Sequence, residues 1–209
     1  VALTIVTAPA VEPFTAVEAK AWAKVSTGSD DTIIDSLIVA ARQHVEDVTS
    51  RALINATWDL KLDSFPPSRK ERWTATGVSS VGGRELRLPR PPLSSVTSVT
   101  YLDTAGDSQT WASAKYAVDS DSEPGRIVPV PTESWPSVYD GINNVTVRFV
   151  SGYGTASTDI PEAILQAMRL LIVHWYENRS DVEVGTIVQA MRRATDSLLA
   201  PYIIREPFL

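Results

Sequence analysis

The sequence predicts an α+β fold: a helical bundle formed by the N- and C-terminal segments, with a small antiparallel β subdomain inserted between them. Three observations predict it. Apolar residues recur at helical spacing near both ends, alternating β-type segments replace them between Ile54 and Gly154, and turn residues punctuate that middle stretch. The expected divisions are 1–53 for the N-terminal helical part, 54–154 for the β subdomain, 155–201 for the C-terminal helical part and 202–209 for a terminal docking arm.

Thr15-Ala-Val-Glu18 has the form of a capping box, so a short helix is expected from there to about Val25. Ser26–Asp31 reads as a turn whose aspartates supply the next N-cap and suit the positive end of the helix dipole. In the second helix Ile33, Ile34, Leu37, Ile38, Ala41, Val45 and Val48 trace one stripe at 3.6 residues per turn, with His44 at its border.

From Ile54 the period becomes two. Ile54, Ala56, Trp58, Leu60 and Leu62 alternate with Asn55, Thr57, Asp59, Lys61 and Asp63, a strand with one wet face. Pro66-Pro67 ends it, and Ser68–Gly83 reads as a long loop or hairpin. Glu85–Leu93 holds a short strand stopped by prolines, which cannot donate to a ladder. Further strands are expected at Ser95–Asp103, at Gln109–Trp111, at both sides of the acidic Pro-Gly turn in Lys115–Val130, and at Asn144–Gly154.

Helix returns after Ile160-Pro161, with the proline in the first turn where its missing N–H costs nothing. Its stripe is Ile164, Leu165, Met168, Leu171, Ile172 and Trp175. Each of these side chains contributes ~1.5–3 kcal/mol when buried, which marks core rather than surface. A last helix is expected from Thr186, with a Thr186-x-x-Gln189 capping box, a stripe of Val188, Met191, Thr195, Leu198 and Leu199, and Pro201 as its stop.

Composition narrows the function. The chain has 209 residues, no cysteine and two histidines, His44 and His174. Thiolate metal sites are excluded and a histidine zinc site is not expected. A net charge of −6 argues against a nucleic-acid binder in its own right, and the short basic clusters Arg69-Lys70-Glu71-Arg72 and Arg192-Arg193 read as solvated surface. The first fourteen residues are read as neither signal peptide nor membrane span, and a soluble setting is expected.

The segment Leu170–Ser180, LLIVHWYENRS, sets His174 beside Trp175, Tyr176, Glu177 and Arg179. A catalytic reading would need a nucleophile or second base near by, and no GxSxG, HExxH, P-loop or GxGxxG motif occurs. The cluster reads as the polar end of a structural helix. The acidic turn Asp119–Glu123 has calcium-like composition without EF-hand spacing, so no cofactor or metal is expected.

Several separate stretches occur in a familiar order: TSRALINATWDLKLDSFP, LRLPRPPLSSVTSVTYLD, YAVDSDSEPGRIVP, ESWP, VTVRFVSGYG and IPEAILQAMRLLIVHWYENRS. Together, over roughly residues 12–202, they resemble the head–tail connector (adaptor) proteins of long-tailed bacteriophages and related gene-transfer particles, in the longer form with a β insertion. The resemblance implies a non-enzymatic structural protein of the virion. It implies a ring, typically of twelve copies, under the portal protein, joining it to tail-side neck or stopper proteins and leaving a channel through which DNA passes. Assembly would take place in the host cytoplasm. Ser68–Gly83 and Arg205–Leu209 lie outside the matching stretches.

Charge fits that reading: twelve copies at −6 each carry about −72 together, which lets DNA slide without sticking where it faces a lumen. Arg69, Arg72, Trp73, Trp135 and Tyr139 are candidates for contacts between subunits, because aromatic and arginine side chains are enriched in interfaces. Burial within its own lobe is the competing reading for each tryptophan. Tyr202, Ile203, Ile204, Arg205, Phe208 and Leu209 form the candidate docking arm for portal or a neighbouring subunit. Burying its four large apolar side chains at ~1.5–3 kcal/mol each about balances ordering the segment at ~1–2 kcal/mol per residue. A stopper or tail-completion protein one layer lower, a carbohydrate-binding β module stacking sugars on Trp111, Trp135 and Tyr139, and a hydrolase are the alternatives.

Overall fold

The computed structural model describes residues 1–26, 30–66, 70–74, 77–81, 85–178 and 186–204. The fold is α+β. Among the described residues the chain forms two compact units, one from Val1–Ala8 with Ala56–Ser151 and one from Pro9–Asn55 with the chain from Gly152 onward.

The β unit begins with a strand that periodicity did not announce, β1 (Ala2–Thr7). It continues with β2 (Ala56–Leu62), β3 (Lys70–Thr74), β4 (Gly77–Val81), β5 (Leu86–Arg87) and β6 (Leu93–Leu102). β7 (Ser108–Trp111), β8 (Tyr116–Asp119), β9 (Arg126–Pro129) and β10 (Val145–Ser151) complete it. The strands form a five-stranded sheet in the order β1-β2-β10-β6-β7, a three-stranded sheet β5-β9-β8, and the ribbon β3-β4, all antiparallel.

Register explains the core of this unit. Leu3, Leu60, Val147, Val99 and Trp111 stand in one row across all five strands. Period-two alternation puts Leu62, Val145 and Phe149 on the same face, and Leu86, Ile127 and Tyr116 from the smaller sheet join their cluster. The opposite face of β2 is less wet than alternation suggests. Asp59 is buried because Arg148, its register partner on β10, reaches it with Nε and a terminal nitrogen at 2.8 Å each. That guanidinium holds the Asp59 carboxyl below the usual carboxylate range.

The helical unit contains α1 (Ala16–Ala23), α2 (Asp31–Thr49), α3 (Glu162–Glu177) and α4 (Thr186–Leu199). α3 packs against the other three. Ile34, Ile38, Ala41 and Val45 of α2 meet Ile164, Leu165, Met168, Leu171 and Ile172 of α3 in one core. Ile33 and Val48, at the margins of the predicted stripe, are exposed.

The Thr15–Glu18 capping box forms as expected. The cap of α2 differs from expectation. Asp30 occupies the N-cap position without a side-chain cap bond, because its carboxylate accepts the Tyr176 hydroxyl at 2.5 Å. Asp31 is engaged by the Lys20 ammonium at 2.6 Å. The Thr186–Gln189 box involves side chains outside the described residues.

Two features tie the helical unit together where the chain enters and leaves it. The segments around Leu53–Asn55 and Gly152–Gly154 run side by side, with Asn55 N–H donating to Gly154 O at 2.8 Å and Tyr153 N–H to Leu53 O at 3.2 Å. Gly152 has φ +146°, and a Cβ there would meet Asn55 N at 2.4 Å, so only glycine permits this approach. The second feature is a buried ion network missed by the stripe argument. Arg42 reaches Glu12 with Nε at 2.7 Å and Glu46 with Nη1 at 2.8 Å, and Glu46 also accepts the Leu53 N–H at 2.9 Å.

Candidate functional site

The histidine segment is fastened structurally. His174 Nδ1 lies 2.8 Å from the Asn178 amide nitrogen, one turn on. Trp175 meets His44 edge to face at 5.8 Å between ring centres, which locks α3 against α2. Tyr176 holds the start of α2 through Asp30. Glu177 is exposed, and Arg179 lies outside the described residues.

The acidic turn is consumed by its own chain. The Asp119 carboxylate accepts the Ser122 hydroxyl at 2.7 Å, Arg126 Nε at 2.9 Å and two backbone N–H groups at 3.1 Å. Those donors, the Ser122 hydroxyl foremost, pull its pKa down to about 2. Arg126 also pairs with Glu85 at 3.0 Å, which joins β9 to the approach to β5. Among the described residues no group of three potential metal ligands occurs, and no helix is long and apolar enough to cross a membrane.

The contact candidates divide. Trp135 stacks on Phe65 at 4.6 Å with an interplanar angle of 11°, and lies 4.7 Å from Trp111. Trp111, only 5% exposed, stacks in turn on Tyr116. Burial in its own lobe thus claims Trp111 and most of Trp135, and a sugar-stacking platform would retain Tyr139 alone. Residue type alone made Trp135 a contact candidate; its stacking partner Phe65 lies seventy positions earlier, a distance no local pattern spans.

Tyr139 is presented on a stiff turn. The buried Asn144 amide nitrogen points at the carbonyls of Tyr139 and Gly141 at 2.7 Å each and of Asp63 at 3.1 Å. Asn143 N–H donates to the Asp63 carboxylate at 2.9 Å, and Asn143 takes the left-handed conformation at φ +57°. This frame leaves Tyr139 49% and Ile142 81% exposed. A rigid turn with apolar tips is suited to contact, because little side-chain entropy remains to be lost on binding. Ile142 is a contact candidate that sequence reasoning passed over; its signal was an apolar residue inside a Gly/Asn turn.

A comparable anchor stands in the helical unit. Trp22 of α1 is 51% exposed, and the Arg169 guanidinium lies 5.0 Å from its ring and 5.1 Å from that of Phe14. Arg169 is itself bonded to Glu162. The cation is therefore held between two aromatic faces and fixes Trp22 in place.

The start of the predicted docking arm is folded down. Tyr202 packs on the helical core, its carbonyl accepts Arg51 Nε at 2.7 Å, and Ile204 N–H donates to Thr49 O at 3.1 Å. The segment through Ile204 is thus part of the helical unit. Arg205, Phe208 and Leu209 lie outside the described residues, as does Arg69. For Arg72 and Trp73 only the backbone, in β3, is described.

No family model matches the sequence, and no curated protein matches it. Solved structures share its fold. A chain of the neck of an empty gene transfer agent (GTA) particle, computed with C6 symmetry, has a TM-score of 0.78 at 23% identity, over 99% of this chain and 98% of that one. A chain of the virion of a native gene transfer agent particle has 0.77 at 22% identity. A chain of the neck of a native GTA particle, computed with C12 symmetry, has 0.72 at 22% identity. Both of these again cover 99% of this chain and 98% of the other. From end to end, this chain has the fold of chains found in the necks and virions of GTA particles.

Proposed function

We propose that this chain is the head–tail connector of a phage-like particle. Twelve copies form a ring beneath the portal protein and join it to a tail-side neck or stopper protein, and DNA passes through the channel without specific binding. The virion neck is its site of action and the host cytoplasm its site of assembly. One observation carries the reading: both units of this chain, not one alone, match neck chains over 99% of its length and 98% of theirs. Stiffly mounted apolar anchors at Tyr139, Ile142 and Trp22 suit a role made of protein contacts. A net charge of −6 per copy suits a channel wall that repels phosphate.

The test is removal. Particles assembled without this chain should contain filled heads and free tails, and adding the purified chain should restore joining. Normal tailed particles in its absence would overturn the reading. A pull-down assigns the layer: capture of portal supports the connector, whereas capture of tail tube without portal would make the chain a stopper or tail-completion protein.

A further inference from the structure

The five-stranded sheet ends on β1, the longest outer strand of either multi-stranded sheet among the described residues. It has six residues, against four in β7, two in β5 and four in β8. An edge strand presents N–H and C=O groups that another extended chain can pair, and proteins usually blunt such edges with charge, proline or a bulge. β1 reads ALTIVT, with no charge and no proline. Its Ile5 and Val6 are 50% and 45% exposed. A register shift falls between Ile5 and Thr7, which leaves Ala2–Ile5 regular. This composition favours pairing.

A second feature has the complementary need. β3 and β4, five residues each, are paired with each other and with no other strand among the described residues. A two-stranded ribbon is marginal in water until it gains a third strand or a packing surface. Its strands match β1 in length to within one residue.

We propose that, in the assembled ring, the β3–β4 ribbon of one copy adds to the β1 edge of its neighbour and extends that sheet from five strands to seven. The proposal rests on the ring reading above. Joining the two free ends of the large sheet, β7 of one copy to β1 of the next, is disfavoured by twist. Adjacent strands rotate by roughly 20–25°, so five strands would turn each copy by about 100° against the last, and such a screw grows a filament rather than closing. A donated ribbon ends the sheet instead. Each copy gives once and receives once, the head-to-tail pattern that a closed ring requires. The ribbon also carries Arg72 and Trp73, two of the expected contact residues.

The absence of cysteine makes the test clean. One population carries Val6→Cys and another Ser79→Cys; the two are mixed, assembled in particles, and treated with a short thiol–thiol cross-linker. Mixed cross-linked pairs are expected in rings and not in the free chain. A cross-link that forms only within single copies of the Val6→Cys/Ser79→Cys double variant overturns the proposal, because the ribbon then covers its own edge. Rings that form but give no mixed cross-link with Arg72→Cys, Ser79→Cys or Ser80→Cys also overturn it while leaving the ring reading intact. Failure of the unsubstituted chain to form any ring overturns both. Separately, Val6→Lys places a charge on the exposed edge and should lower ring yield about tenfold, since every joint weakens together, with free-chain unfolding unchanged. Unchanged ring yield overturns the proposal. Normal rings that lose their tail-side protein do so too, by assigning the edge to that protein's strand.

Discussion

Replacing Trp135 with alanine separates a core residue from a contact residue, because the two roles predict losses in different states of the protein. A tryptophan buries about 150–250 Å² when packed. Trp135 is partly buried against the β core, so about 100 Å² at ~25 cal/mol per Å² gives about 2.5 kcal/mol. The stack on Phe65 and the close approach to Trp111 add ~0.5–1.5 kcal/mol each beyond that area. The free chain should therefore lose about 3.5–5.5 kcal/mol, close to the range of aromatic-to-alanine truncations in cores. Urea unfolding of the unassembled protein, followed by far-UV circular dichroism at matched m-values, measures this directly. A loss under about 1 kcal/mol in the free chain, together with failed assembly, would instead make Trp135 a contact residue.

Two further outcomes follow from the charged groups. Arg42→Met should cost about 3 kcal/mol in urea unfolding, because it leaves Glu12 and Glu46 near each other without their cation. Adding Glu12→Gln and Glu46→Gln should recover most of it, and a single-variant loss near zero would contradict the clamp. Asp119 has its pKa lowered from 3.8 to about 2 in the folded chain. The stabilisation from its hydrogen bonds is therefore complete above about pH 4 and disappears as pH falls through about 2. The stability gap between the natural chain and Asp119→Asn should accordingly be flat at pH 5–7 and close on acidification. A gap that stays constant to pH 2 would remove Asp119 from the account.

The helices were legible because their information is local. Ile34, Ile38, Ala41 and Val45 recur every three or four positions, and the same face that the sequence marks is the face that packs. Thr15 and Glu18 likewise needed only each other. What the sequence hid depends on distant partners. β1 is a short run of common β-formers whose mate, β2, pairs Ala2 with Lys61, so no window of ordinary length contains both. Asp30 was a sound N-cap candidate until Tyr176, 146 residues away, claimed its carboxylate. At the candidate site, Tyr139 was marked by residue type. The reason it stands out, a buried Asn144 gathering three carbonyls, was visible only in three dimensions.

The pairing of β1 with β2 also shapes how the chain comes together. The polypeptide passes from the β unit to the helical unit near Ala8, back near Asn55, and over again near Ser151. The first strand must therefore wait for one that follows the whole first half of the bundle. Closing a loop of about 50 residues costs roughly (3/2)RT ln 50, about 3.5 kcal/mol, when the loop is unstructured. Folding of α1 and α2 within that loop shortens the coil left to close, which lowers that cost. During synthesis β1 meets its partner only when β2 has emerged, a long exposure for an uncharged strand, and Ala2–Thr7 is meanwhile open to pairing with the wrong molecule.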